Sequence, residues 1–232
     1  MMDLETFGVN QQAAIVQLGA CVFAFDGPIP EGNYSPEFRE SVSLQSALLA
    51  GLKIDDSTVD WWKDQNSEAQ FSICIHCVPL EAALKNFVTW FQRIESEVKG
   101  EVEGYEIWSR GTDFDVALLK NAFAAVGVKY PLKYNAGRDV RTIVALANEL
   151  GWNPGRKFEA EVEHDALEDC KAQAKQVSTA FRFMRIAHED ADNWRNRYLR
   201  DPNCKMPGQE ILGVGGDGKT PQMMTPGGGE KG

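Results

Sequence analysis

From Asp165 onward the chain repeats apolar side chains at intervals of three and four: Leu167, Cys170, Ala174, Val177, Phe181 and Met184. This spacing draws one continuous stripe down an α-helix, and the helix needs another surface to bury it. Asp165 and Glu168 read as a capping pair that starts the helix at Ala166. Asp169 then falls in the first turns, beside the apolar stripe rather than opposite it.

The rest of the chain supplies strands first and further helices later. Asp3 follows only Met1 and Met2, so its strand is very short. Residues 13–25 read as a long strand after a turn at 8–10, and 38–44 as a third strand beyond a loop marked by Gly27, Pro28, Pro30 and Gly32. Ser57 caps a short helix containing Trp61 and Trp62. Residues 71–78 read as extended. Pro79 opens a helix on which Leu80, Leu84, Phe87, Val88, Phe91 and Ile94 recur at helical spacing. A short strand at 105–109, a helix at 115–126 ended by Gly127, and a helix at 139–150 stopped at Gly151 complete the pattern. Early strands and interleaved helices predict an α/β sheet with helices on its faces, over residues 1–200. From Asp201, glycine, proline and methionine dominate, and 201–232 reads as a flexible tail.

No apolar run is long enough to span a bilayer: 13–25 is too short and is interrupted by Gln17. Asp3 and Glu5 stand where a signal peptide would need a basic start, which predicts a cytoplasmic protein. Five cysteines form an odd set without disulfide spacing, as expected of free thiols. Cys74 and Cys77 make a lone CxxC with no second pair, and alternation with Ile73 and Ile75 reads as a buried strand instead of a zinc site. A net charge of −10 argues against a broad nucleic-acid surface. It is compatible with a site whose carboxylates hold cations, and with a grip on strand ends alone.

Three separated segments carry such carboxylates. In Asp3-Leu4-Glu5 the two acids lie two apart on a strand and converge on one face. Thr112-Asp113-Phe114-Asp115 sits between a strand and a helix, where open α/β sheets bind ligands, although Thr112 with Asp115 also matches a capping box. His164-Asp165-Ala166-Leu167-Glu168-Asp169 puts a histidine just outside the long helix and an acid inside its first turns.

In this order, the three segments resemble the three Exo motifs of the DEDDh 3′→5′ exonuclease superfamily, whose fold is a ribonuclease H-like mixed sheet with helices on both faces. The similarity extends to Trp61-Trp62-Lys63-Asp64-Gln65 and Arg138-Asp139-Val140-Arg141-Thr142, and covers residues 3–190. It is strongest to the phage exonuclease A-like group and its bacterial exoribonuclease relatives; for a phage protein the compartment would be the host cytoplasm. Two departures stand out: few residues lead into Asp3, and Gly111 replaces a residue that is often polar. The resemblance implies two Mg²⁺ (or Mn²⁺) ions held by Asp3, Glu5, Asp115 and Asp169 about 3.5–4 Å apart. It implies His164 as general base, a task suited to an imidazole that ordinarily titrates near pH ~6.5. Four close carboxylates repel one another, so some should titrate high without metal. The expected substrates are 3′ ends of single-stranded DNA or RNA, met by backbone groups around Leu4 and Thr6, with Phe7 or Phe114 stacking on a base. A homodimer is common among such proteins. The alternative is a catalytically silent binding module of the same fold.

Two other patterns compete with this reading. Residues 213–220 satisfy the P-loop string G-x-x-x-x-G-K-[ST], but Pro221 follows at once and no helix is available to receive a phosphate. The Trp61–Trp62 pair reads as core, and Arg182, Arg185, Arg195, Arg197 and Arg200 as a solvated helix face.

Overall fold

The computed structural model describes residues 1–26, 29, 31–98, 105–154 and 158–200, the side chains of 194–199 excepted. Gly27, Pro28, Pro30, the side chains of Arg195 and Arg197, and everything from Asp201, including the 213–220 motif, lie outside the described residues. The chain divides into two units, Met1–Ala187 and His188–Gly232. In the second, the described residues are helical turns, with His188 Nδ1 3.6 Å from Asp192 Oδ2 one turn on.

Element order is β1 (Met2–Thr6), β2 (Ile15–Cys21), β3 (Glu37–Ser41), α1 (Leu44–Leu49), α2 (Asp56–Lys63), α3 (Ser67–Ser72), α4 (Leu80–Glu97), β4 (Ile107–Ser109), α5 (Asp115–Ala125), β5 (Gly137–Asp139), α6 (Val140–Glu149) and α7 (Ala166–Arg200). The fold is mixed α/β. An antiparallel sheet runs β1-β2-β3, and β4 pairs in parallel with β5 across α5. β1 and β4 run beside each other.

Register decides which side chains meet. Met2, Leu4, Leu18, Ala20 and Phe38 share one face of the antiparallel sheet, buried with α4 (Leu80, Leu84, Phe87) and α5 (Leu118, Leu119, Phe123). On the other face Asp3 opposes Gly19 and Glu5 opposes Gln17. There Cys21 and Trp108 pack with Val140, Ile143 and Ala147 of α6 and with Leu167, Cys170, Ala174 and Val177 of α7, so the predicted stripe is buried. Gly19 makes this approach possible. A Cβ there would lie 2.3 Å from the Ala166 carbonyl carbon and 2.4 Å from the Leu167 nitrogen. A glycine inside a strand marks such a backbone contact.

Several local readings need correction. Residues 71–78 do not form a strand: Phe71 lies in the last turn of α3 and is exposed, and Cys74 and Cys77 are exposed free thiols beyond it. Isolated apolar alternation is shared by a surface helix end and a strand, and here Asn66 caps a helix by accepting from the Ala69 N–H. The strand expected over 13–25 is ordered as β2 only from Ile15 to Cys21, and 38–44 contains β3 and then the start of α1, capped by Ser43. Asp55, not Ser57, caps α2; its carboxylate accepts from both the N–H and the hydroxyl of Ser57. The helices expected from Pro79, Asp115 and Asp139 are present, with Gly127 and Gly151 at positive φ beyond their C-terminal ends. Asp139 caps α6 after closing the short strand β5, which its sequence does not announce.

Candidate active site

Asp3 and Glu5 project from β1 toward the first turns of α7. A register shift between Glu5 and Thr6 ends the regular ladder at this point. Glu5 is only 8% exposed, although a carboxylate is costly to bury unpaired. Beyond the bulge, the Thr6 hydroxyl donates to the Gly8 carbonyl and the Thr6 carbonyl accepts from the Trp62 indole N–H, so the turn after the strand is tied down.

Two long-range connections set the start of α7. Asp165, 2% exposed, accepts from the Leu167 and Glu168 N–H groups through Oδ1 and from the Arg39 guanidinium at 2.9 Å through Oδ2. The capping box is therefore half made, because Glu168 turns away to pair with Lys171 at 2.9 Å. Gln17, fully buried, accepts from the Ala166 N–H at 2.7 Å and donates to the Ser72 carbonyl at 3.1 Å. The single polar residue interrupting the apolar run thus fastens α7 to the sheet next to Glu5.

His164 precedes this turn with φ 65°, a left-handed conformation uncommon for a non-glycine residue. Its N–H donates to Asp169 Oδ2 at 3.2 Å, and its ring meets Trp61 edge-on at 4.8 Å between centroids. Trp61 is 43% exposed while its neighbour Trp62 is buried, so only one of the pair is core. Ligand atoms of Glu5, His164 and Asp169 all lie within 4.8 Å of one another.

Asp115 arrives separately, 5% exposed in the first turn of α5 after β4. The expected capping box is absent: Thr112 donates its N–H to Asp139 Oδ2, and no side chain caps α5. Gly111 sits at φ 123° against the Arg141 guanidinium. Asp139 and Arg141 therefore hold the turn that presents Asp115, which gives a role to the Arg138–Thr142 stretch.

The electrostatics of the cluster are unbalanced. Burial, then the charge of Asp115, holds Asp3 well above the usual carboxylate range, although Gln173 Nε2 donates to its Oδ1 at 2.9 Å. Burial and then Asp3 push Glu5 to about 9. Burial raises Asp115 to about 7 against the opposing effects of Ser109 and Arg141. Burial likewise raises Asp169, opposed by His164. Gln173 Oε1 is buried beside these acids without a hydrogen-bond partner among the described residues, whereas the Ser109 hydroxyl lies close enough to Asp115 to oppose its rise. Crowded oxygen donors without enough cation, and an orphaned amide oxygen next to them, are what a hard divalent ion and its waters would satisfy.

A folded state with raised carboxylates binds more protons than the unfolded chain, so its stability falls as pH rises. For Glu5 and Asp115 the loss runs from about pH 4 to about pH 9. Metal-free protein should accordingly melt at progressively lower temperature through this range in calorimetry. Mn²⁺ should raise the midpoint, and more at pH 8 than at pH 5.5, because protons compete for the same oxygens. A midpoint that rises with pH, or ignores Mn²⁺, would contradict this.

A cavity of about 450 Å³ opens beside the acids, bordered by Asp3, Leu4, Glu5, Arg110, His164 and Asp169 among others. Leu4 contributes to this border although its side chain is buried in the main core. Phe7 and Phe114 are not among the lining residues: Phe7 packs edge-on against Trp62, and Phe114 packs against the main core. The roles of Arg39, Gln17, Gly19, Asp139 and Gln173 escaped the sequence reading, although Gln17 and Asp139 stand in stretches it singled out. Gly19 and Gln17 carry a usable signal, since each is out of place in a buried strand.

Comparison with known proteins makes this chain an exonuclease-family protein, a nuclease-type hydrolase. The chain belongs to the Rv2179c-like family, described as a 3′-5′ exoribonuclease domain, whose model matches residues 1–181. It is also similar to an exodeoxyribonuclease of Enterobacteria phage T4, 26% identical over 221 residues that cover 82% of this chain and 92% of the phage protein. Among the described residues no helix is long and apolar enough to cross a membrane.

Proposed function

We propose that the protein is a metal-dependent 3′→5′ exonuclease of the DEDDh type that releases nucleoside monophosphates from single-stranded nucleic acid. What supports this reading is the cluster of Glu5, His164 and Asp169, whose ligand atoms lie within 4.8 Å of one another, with Asp3 on the same cavity and Asp115 outside its lining but near enough that its charge raises Asp3 and Glu5. In the same reading, the two ladders belong to one ribonuclease H-like mixed sheet.

The four carboxylates would hold two Mg²⁺ or Mn²⁺ ions, which when bound neutralise phosphate charge and lower the pKa of a water. Gln173 fixes one oxygen of Asp3 and leaves the other to the site. His164, within reach of Glu5 and Asp169, takes the proton from the attacking water. Its positive φ and its contact with Trp61 keep the imidazole over the acids instead of in solvent. The β1 backbone at Leu4 borders the cavity and is placed to meet the terminal nucleotide.

The family description names RNA and the phage relative's name DNA, so the substrate is settled only by side-by-side digestion. Matched RNA and DNA oligonucleotides, blocked at either end, should lose mononucleotides from the free 3′ end in Mn²⁺ and stay intact in chelator. Equal survival in both conditions at high enzyme would favour a silent binding module. Shortening of the 3′-blocked strand would reverse the assigned polarity.

A further inference from the structure

Among the described residues, the cavity beside the acids is lined by one arginine or lysine, Arg110, against Asp3, Glu5, Glu159, Glu163 and Asp169. Arg110 directly follows β4, so its backbone is fixed by the parallel ladder to β5. Its guanidinium donates to Gln176 Oε1 at 2.6 Å, and it makes no ion pair with a described residue. Asp169, Gln173 and Gln176 follow one another on α7 at intervals of four and three, hence on one helix face. Gln176 thus holds the guanidinium along the same face that presents Asp169. The clip is neutral and engages one end of a fork of N–H donors, so the charge and the remaining donors are left to the cavity.

A guanidinium that only balanced the acids would be expected to pair with one of them. This one bonds to an amide and makes no ion pair with a described acid, although its charge reaches Asp3, in a pocket where any substrate of a nuclease brings a phosphate. We propose that Arg110 is a phosphate anchor: its fork takes the 5′-phosphate of the terminal nucleotide, the group that becomes the monoester of the released mononucleotide. The proposal rests on the exonuclease reading and goes further by assigning the phosphate to a protein cation as well as to metal. Bidentate charge-assisted bonding to phosphate suits arginine, and lysine retains only the point charge.

The test is calorimetric binding of adenosine 5′-monophosphate and of adenosine to the full chain in Mn²⁺, alongside digestion of a 3′-end-labelled oligonucleotide. Arg110→Gln should weaken monophosphate binding by on the order of tenfold to a hundredfold and leave adenosine unchanged. Arg110→Lys should recover part of the loss. In digestion, the Gln variant should raise KM for the oligonucleotide by a similar factor. Unchanged monophosphate affinity in Arg110→Gln would overturn the proposal. So would an equal loss in Gln176→Ala, because that would make the Arg110–Gln176 contact a clip between β4 and α7 and nothing more. Wild type that binds the monophosphate through Arg110 but releases no mononucleotide would uphold the anchor while sinking the exonuclease reading.

Discussion

Asp169→Asn should abolish at least ~10³-fold of the hydrolytic rate while making the metal-free protein more stable. The two effects have one cause. Asp169 is a carboxylate whose burial, among other acids, already holds it above the usual range. An amide of the same shape removes a charge from that crowd and still offers an oxygen to the His164 N–H, so the loop before α7 keeps its connection. What is lost is a hard anionic ligand, which an amide replaces poorly for Mg²⁺ or Mn²⁺. Single-turnover digestion of an end-labelled strand reads the first effect, and calorimetry in chelator reads the second. A metal-free melting temperature that falls with the substitution would mean that Asp169 is paired structurally. Activity retained above about a tenth of wild type would remove it from the site.

A single methyl group on the sheet should be nearly as damaging. In Gly19→Ala the new Cβ would meet main-chain atoms of Ala166 and Leu167 at 2.3–2.4 Å, and backbone cannot swing aside as a side-chain end does. The start of α7 must lift from β2. That motion breaks the 2.7 Å bond from the Ala166 N–H to Gln17 and carries Asp169 away from Asp3, which stands opposite Gly19 on the neighbouring strand. Overpacking of this kind costs about 1–3 kcal/mol, and stranding the fully buried Gln17 oxygen adds about 1–3 kcal/mol more. Displacement of a catalytic group by about 1 Å lowers rates by about 10²-fold. Denaturant titration and digestion rates measure the two losses. A Gly19→Ala protein as stable and as active as wild type would show that α7 does not rest on that strand as described.

These two positions differ in how far they can be read in advance. Asp169 belongs to a local string, His164 to Asp169, whose spacing to the helix start is fixed by covalent geometry, and the family resemblance names it. Gly19 matters only because residue 166 crosses it, a relation between positions 147 apart in the chain. The same division holds elsewhere. The stripes of α4 and α7 were readable because helical neighbours three and four apart are set by the helix itself. Residues 71–78 were misread because four alternating side chains fit a strand and a helix end equally well, and the deciding fact, Gln17 and Ser41 bonding to the Ser72 carbonyl, comes from across the sheet.

The sequence by itself determined the early strands, the helices from Pro79, Asp115, Asp139 and Ala166, and the acids and histidine that the family resemblance singles out, but not α1, α3 or β5. Those are properties of short segments, governed by backbone periodicity and residue chemistry. Only the tertiary structure decided that Gln17, Gly19 and Arg39 seat the last of these helices, that Asp139 and Arg141 hold the Asp115 turn, that Gln173 reaches Asp3, and that Arg110 stands in the pocket bonded to Gln176 and without an ion pair among the described residues. Such contacts arise from strand register and helix packing, which bring together residues that no local spacing connects.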